Sequence, residues 1–90
     1  MVRWRIVFSG LVQHVGFRYT AYYLARMYEL TGWVDNLDDG RVLLEVQGDI
    51  TQLRRFLLQL KNKPNLRISG AEIREIELKR GEEKFSVLGY

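Results

Sequence analysis

Phe8-Ser9-Gly10-Leu11-Val12-Gln13-His14-Val15-Gly16-Phe17-Arg18 joins two different hydrophobic periods. To its left, Val2, Trp4, Ile6 and Phe8 alternate with Arg3, Arg5, Val7 and Ser9. That is the period of two expected for a strand with one core face. To its right, Phe17, Ala21, Leu24, Ala25 and Tyr28 recur at helical spacing. Between them the sequence predicts a short strand-to-helix loop with Gly at both ends and Arg18 where the helix begins. Backbone N–H groups of such a loop and of the helix N-terminus converge on one spot and attract an anion. A guanidinium can grip two oxygens of a phosphate at once. A cation at a helix N-terminus opposes the helix dipole, and an anion at the same place would relieve that conflict.

Outward from this stretch, Gly32 is predicted to stop the first helix as its C′ residue. Tyr19, Tyr22, Tyr23 and Tyr28 read as half-buried packing on the flanks of that helix. A second strand over Trp33–Leu37 meets Asp38-Asp39-Gly40, a hairpin signal. The third strand, Arg41–Gln47, buries Val42, Leu44 and Val46 or shares burial with Leu43, and Gly48 ends it. Asp49 fits an N-cap with Gln52 at N3. Ile50, Leu53, Phe56, Leu57 and Leu60 form the apolar face of a second helix, which cannot continue through Pro64.

A fourth strand begins near Ile68. Its apolar parity slips between Ala71 and Ile73 on one side and Ile76 and Leu78 on the other, which predicts a β-bulge at about Arg74-Glu75. Lys79–Lys84 reads as a polar loop around Gly81, and Phe85–Tyr90 as a short final strand. The order is βαββαβ plus a C-terminal strand, without repeats or low-complexity segments. The simplest way to build it is an α+β, ferredoxin-like α/β sandwich, with two helices on one face of a mainly antiparallel sheet.

Residues 1–90 are expected to form one domain, which at this size buries about 60–65% of its unfolded surface. A hydrophobic content of 47% is ample for a packed core. No apolar run approaches the ~18 residues of a membrane span, and Met1-Val2-Arg3-Trp4-Arg5 has no secretory h-region. No membrane association is expected, and cytoplasm is the default. There are no cysteines, hence no disulfide framework and no thiol nucleophile. The net charge of +3 comes from 14 basic residues interleaved with 11 acidic ones. This mildly favours small anionic partners and shows no nucleic-acid tail.

Gly10-x-Val12-Gln13-x-Val15-Gly16-Phe17-Arg18 resembles the signature loop of the acylphosphatases. Gly32-Trp33-Val34-x-Asn36-x-x-x-Gly40-x-Val42, followed after five residues by Gly48, is similar to the second signature of that family. The two blocks stand in the family's order and the resemblance covers essentially the whole chain. Topology supports it independently. In a split βαβ arrangement the first two strands run parallel with the third between them. Their C-terminal ends then share one rim roughly 10 Å apart, which brings the loop and Asn36 face to face.

The resemblance implies hydrolysis of an acyl phosphate to a carboxylate and inorganic phosphate by in-line attack of water. Arg18 and the backbone N–H groups of residues 13 to 18 (Gln13, His14, Val15, Gly16, Phe17 and Arg18) would hold the phosphoryl group. Asn36 would position the water, a task suited to a neutral amide that both donates and accepts. No metal site, cofactor or covalent nucleophile is expected, because His14 is a single His with no carboxylate pattern around it. Glu82-Glu83, Asp38-Asp39, Glu72, Glu75 and Glu77 read as solvated faces and turns. The expected partners are a small acyl phosphate and inorganic phosphate or another anion, and the expected state is a monomer.

The chain departs from the family pattern at two positions. His14 stands where the family loop usually has Gly, and at φ > 0 a His there costs roughly 1 kcal/mol or more. Asp35 stands where a basic or neutral residue is more usual. An alternative reading is therefore an acylphosphatase-like domain that binds phosphorylated ligands with weak or no turnover. An RNA-recognition module shares the topology, but it would need exposed aromatics on the third strand. Arg41-Val42-Leu43-Leu44-Glu45-Val46-Gln47 has none, so no nucleic-acid partner is expected.

Overall fold

The computed structural model describes residues 1–89. In chain order the elements are β1 (Val2–Leu11), α1 (Phe17–Met27), β2 (Thr31–Asn36), β3 (Val42–Gly48), α2 (Ile50–Lys61), β4 (Arg67–Ile76) and β5 (Phe85–Val87). The strands form one sheet in the order β4-β1-β3-β2-β5. Pairing is antiparallel except between β2 and β5, which run parallel. The ferredoxin-like sandwich is therefore present, with β5 added outside β2. Tyr90, included in the predicted final strand, lies outside the described residues.

The alternation in β1 does what its period requires. Ile6 faces Leu44 and Phe8 faces Val42 across the β1–β3 ladder, and all four are fully buried. They pack with Phe17, Ala21 and Leu24 of α1 and Leu53, Phe56 and Leu60 of α2. Burying each large apolar side chain stabilises the fold by about 1.5–3 kcal/mol. Val42, Leu44 and Val46 form the core face of β3, while Leu43 is half-buried on the opposite face.

The first helix ends differently from the sequence expectation. The left-handed residue after it is Glu29, at φ 57°, and not Gly32. Glu29 N donates to Arg26 O at 3.2 Å and Leu30 N to Ala25 O at 2.8 Å, which is a Schellman closure. Leu30 then enters the core, and that burial offsets the cost of a non-glycine residue in this conformation. Gly32 lies inside β2 opposite Val46, and a Cβ there would stand 1.9 Å from the Glu45 carbonyl oxygen. Close strand approach, not helix termination, demands that glycine.

The second helix starts as predicted. The Asp49 carboxylate accepts from Thr51 N at 2.9 Å and Gln52 N at 3.4 Å. The Gln52 side chain reaches Tyr28 O just past the first helix and does not close a capping box.

No bulge forms at Arg74-Glu75. Ser9 pairs with Gly70 and Gly10 with Ile68, so the extra residue is Ser69. This shift lets Ile68 and Ala71 both pack on the core. Beyond it the register is unbroken, leaving Ile73 exposed on the sheet edge and Ile76 opposite Arg3 on the helix-free face. An edge strand does not need a continuous core face. Gly10, read as the start of the loop, is part of β1. A Cβ on it would lie 2.0 Å from Arg67 O, at φ 119°.

The helix-free face holds the largest departure. Arg3, expected on the solvated side of β1, is 2% exposed. Its guanidinium donates to Glu45, Gln47 and Glu82. The Gln47 amide in turn bonds both the N–H and the carbonyl of Lys79. Residues 79–82 thus lie across the start of β1, and Glu82 is a half-buried partner of Arg3 rather than part of a solvated turn. Burial alone would push the Glu82 carboxyl up, but the Arg3 hydrogen bond and charge, with Lys79, hold it below the usual range.

Candidate active site

β1 and β2 run toward the same rim, with β3 antiparallel between them. Leu11 ends one and Asn36 the other. After Leu11, Val12 is fully buried and anchors the loop that carries the chain to α1. Within the loop His14 (φ 63°) and Gly16 (φ 77°) are both left-handed. Two such residues close together curl the chain and turn successive N–H groups toward one side. His14 thus stands in the left-handed region, which costs a non-glycine residue roughly 1 kcal/mol or more.

Side-chain amides tie this loop down on two flanks. Gln13 Nε2 donates to Leu37 O at 2.7 Å and Arg41 O at 3.0 Å, holding the β2–β3 hairpin beside the loop. Asn65 Nδ2 donates to Val15 O at 2.7 Å from the α2–β4 connection. The Gln13 side-chain N–H groups are committed to the hairpin, so its backbone N–H is the donor it can offer an anion. Val15 contributes its carbonyl to Asn65 and does not line the hollow that the loop encloses.

That hollow has a volume of about 200 Å³ and is lined by Val12, Gln13, His14, Gly16, Phe17, Arg18, Tyr19 and Asn36. It is below the roughly 300–1,000 Å³ of pockets for drug-sized ligands. Gly16 is the α1 N-cap, offers no side-chain oxygen, and is followed by a first turn without an acidic residue. The positive end of the helix is therefore capped by nothing from its own turn. Phe17 buries its ring against Phe8, with centroids 5.0 Å apart, which fixes where the helix starts.

Arg18 follows immediately and is half-buried. Its Nη1 donates to the carbonyl oxygens of Leu88 and Gly89. A Cβ on Gly89 would come 3.0 Å from Arg18 Nη1 and 2.5 Å from Asp35 Oδ1, so both side chains crowd the face of residue 89 where a side chain would stand. Sequence reasoning missed this support, because a carbonyl acceptor carries no side-chain signature. It also missed Asn65, and it assigned Tyr19 only to packing, whereas that residue is 48% exposed on the cavity wall.

Larger hollows, of about 580 and 520 Å³, lie at the C-terminal end of α1 and beside Trp33 under residues 79–84. Neither contains a helix N-terminus or the left-handed loop. Among the described residues no group of three or more His, Cys, Asp or Glu side chains is placed to hold a metal ion. No helix among them is long and apolar enough to cross a membrane.

The acylphosphatase family model matches residues 4–87. The chain belongs to the acylphosphatase family. It is 39% identical to the acylphosphatase of Clostridium perfringens over 87 residues, covering 96% of this chain and 98% of that one. The crystal structure of acylphosphatase from Bacillus subtilis superposes with a TM-score of 0.92 at 36% identity, covering 99% of this chain and all of that one. An acylphosphatase from Coxiella burnetii gives a TM-score of 0.89 at 30% identity over 97% of this chain and 92% of its own. Membership in the acylphosphatases carries the general activity, hydrolysis of a small acyl phosphate. Both acylphosphatase-like blocks of the sequence meet at one cavity, through Arg18 and Asn36.

Proposed function

We propose that the 200 Å³ cavity binds the phosphoryl group of an acyl phosphate, and that water held by Asn36 attacks phosphorus in line. One observation carries this reading. Arg18 and Asn36, from opposite sides of the sheet's central strand, line the same hollow as a left-handed loop and an uncapped helix N-terminus. Donors fixed in advance around a phosphoryl group stabilise its charge without reorganising during reaction. Backbone N–H groups of the residues between 13 and 18 that line the cavity, Gln13, His14, Gly16, Phe17 and Arg18, and the guanidinium of Arg18 serve that purpose.

The reaction balances without help from another group. The water oxygen bonds to phosphorus, and the bond from phosphorus to the acyl oxygen breaks. The carboxylate leaves with the electron pair, and the water's proton passes to a phosphate oxygen. A carboxylate is a good leaving group, so no strong general acid is needed. A neutral amide at 36 holds the water without repelling the anionic substrate. No metal ligand is called on at any step. All of these groups come from one chain, so a monomer suffices.

A specific pair of observations favours a second reading, a phosphate-binding domain of low turnover. His14 stands at φ 63° in the cradle, and Asp35 lies beside the backbone that Arg18 grips. Hydrolysis of an aromatic acyl phosphate in the presence of a chelator, with a phosphate monoester as control, separates the two. Selective turnover that survives the chelator is expected. Loss of activity on metal removal would refute the mechanism, and phosphate binding without turnover would establish the second reading.

A further inference from the structure

We propose that Asn65 is a positioning residue for phosphate binding, which locks the Val15–Gly16 peptide so that the Gly16 N–H faces the anion. The proposal rests on the phosphate reading of the cavity given above. Asn65 does not line that cavity and reaches the loop from behind, across fifty residues, through Nδ2 to the Val15 carbonyl oxygen at 2.7 Å. Only the nitrogen of the amide can make this contact, because a carbonyl oxygen only accepts.

In a trans peptide the C=O and the following N–H point in opposite directions. A Val15 carbonyl held outward by Asn65 therefore turns the Gly16 N–H away from Asn65, to the side where Gly16 lines the cavity. This peptide needs a lock. Glycine accepts either sign of φ at little cost. A Cβ on Gly16 would meet nothing within 4 Å, so packing does not oppose a rotation there. A flipped peptide would aim a carbonyl at the phosphate and replace attraction by repulsion.

Asn65 is itself held in place before any ligand arrives. Leu66 N donates to Lys63 O at 3.1 Å, closing a β-turn over Lys63-Pro64-Asn65-Leu66. Pro64 occupies the second position, where its fixed φ suits the turn. Leu66, only 6% exposed, plugs the end of the turn into the core. The donor is thus built on a short rigid segment, and little entropy is lost in aiming it.

The test compares the parent protein with Asn65→Ala by calorimetric titration of inorganic phosphate, thermal melting, and the amide shift of Gly16 during the titration. For Asn65→Ala, Kd for phosphate should rise about five- to tenfold, the factor that accompanies one oriented hydrogen bond. The melting temperature should fall by no more than about 4 °C, since the Asn65 side chain is exposed. The shift of the Gly16 amide on phosphate addition should shrink. An unchanged Kd, or an unchanged Gly16 response, overturns the proposal. Failure of the parent protein to bind phosphate would instead refute the reading of the cavity on which this rests.

Discussion

Replacing Arg3 by Met tests how the helix-free face is closed. The guanidinium stands 2.8 Å from Glu82 and 2.9 Å from Glu45, with the three side chains 2%, 10% and 16% exposed. A third acceptor, Gln47 Oε1, lies 3.3 Å away. Met fills similar space but leaves two poorly solvated carboxylates facing each other without their cation. Removing one partner of such a buried pair costs about 3–5 kcal/mol. A domain of this size loses about 4–8 °C in Tm per kcal/mol, so the Tm should fall by at least ~12 °C. The pH dependence supplies a second readout with a definite sign. Arg3 holds the Glu82 carboxyl below its usual range, so in the folded state Glu82 stays charged where the unfolded chain would bind a proton. Its contribution is fully present above the ordinary Glu pKa of about 4.3 and is lost as pH falls through the lowered folded value. The parent Tm should therefore drop on acidification through that window more steeply than the Tm of Arg3→Met. Turnover measured well below the Tm should be nearly unchanged, because Arg3 lies roughly 26 Å along β1 from the loop by strand rise. Thermal melts from pH 7 to pH 3 on both proteins read all of this. A Tm loss under about 4 °C, with parallel pH profiles, would refute the view that Arg3 is a buried charge dependent on its partners.

Asn36→Ala should lower kcat about 10²-fold while changing the inhibition constant of inorganic phosphate less than about threefold, as expected of a residue acting on the chemical step. Steady-state kinetics with phosphate as competitive inhibitor decide this, and an unchanged kcat with a raised KM would make Asn36 a binding group. His14→Gly relieves roughly 1 kcal/mol of left-handed strain but loosens the unfolded chain by about 0.4–1 kcal/mol, so Tm should move by only a few degrees. Its kcat/KM should equal or exceed that of the parent. A kcat/KM of the Gly variant well below that of the parent, with a raised inhibition constant for phosphate, would show instead that His14 donates to the phosphate.

The parts of the fold legible in the sequence are those where one local period decides the matter. Ile6, Phe8, Val42, Leu44 and Val46 alternate because one sheet face is buried, and Asp49 caps because its side chain fits the first turn. The meeting of Arg18 with Asn36 at one cavity is legible from topology, because a split βαβ order makes the first two strands parallel. What escaped depends on contacts distant in the chain. Alternation marks Arg3 as facing away from the helices but does not reveal that Lys79 and Glu82 cover it. The left-handed stop after α1 fell to Glu29, for which no composition signal exists, because buried Leu30 fixed the exit path. Gly32 looks like that stop in the sequence because an open turn and a close strand approach both select glycine. The bulge went to Ser69 because an edge strand tolerates Ile73 in solvent. Asn65 sits in what reads as a plain helix-ending segment, fifty residues from the carbonyl it holds.

The role assigned to Arg18 is tested most directly by the kcat/KM of Arg18→Lys and Arg18→Ala for an aromatic acyl phosphate. Lysine keeps the charge but not the planar fork that spans two phosphoryl oxygens. Both variants should lose on the order of 10²-fold or more, the scale of one fixed transition-state donor. Both should also keep the far-ultraviolet circular dichroism of the parent, since this side chain lies outside the core. Near-parental turnover by Arg18→Ala would place the chemistry somewhere other than this loop.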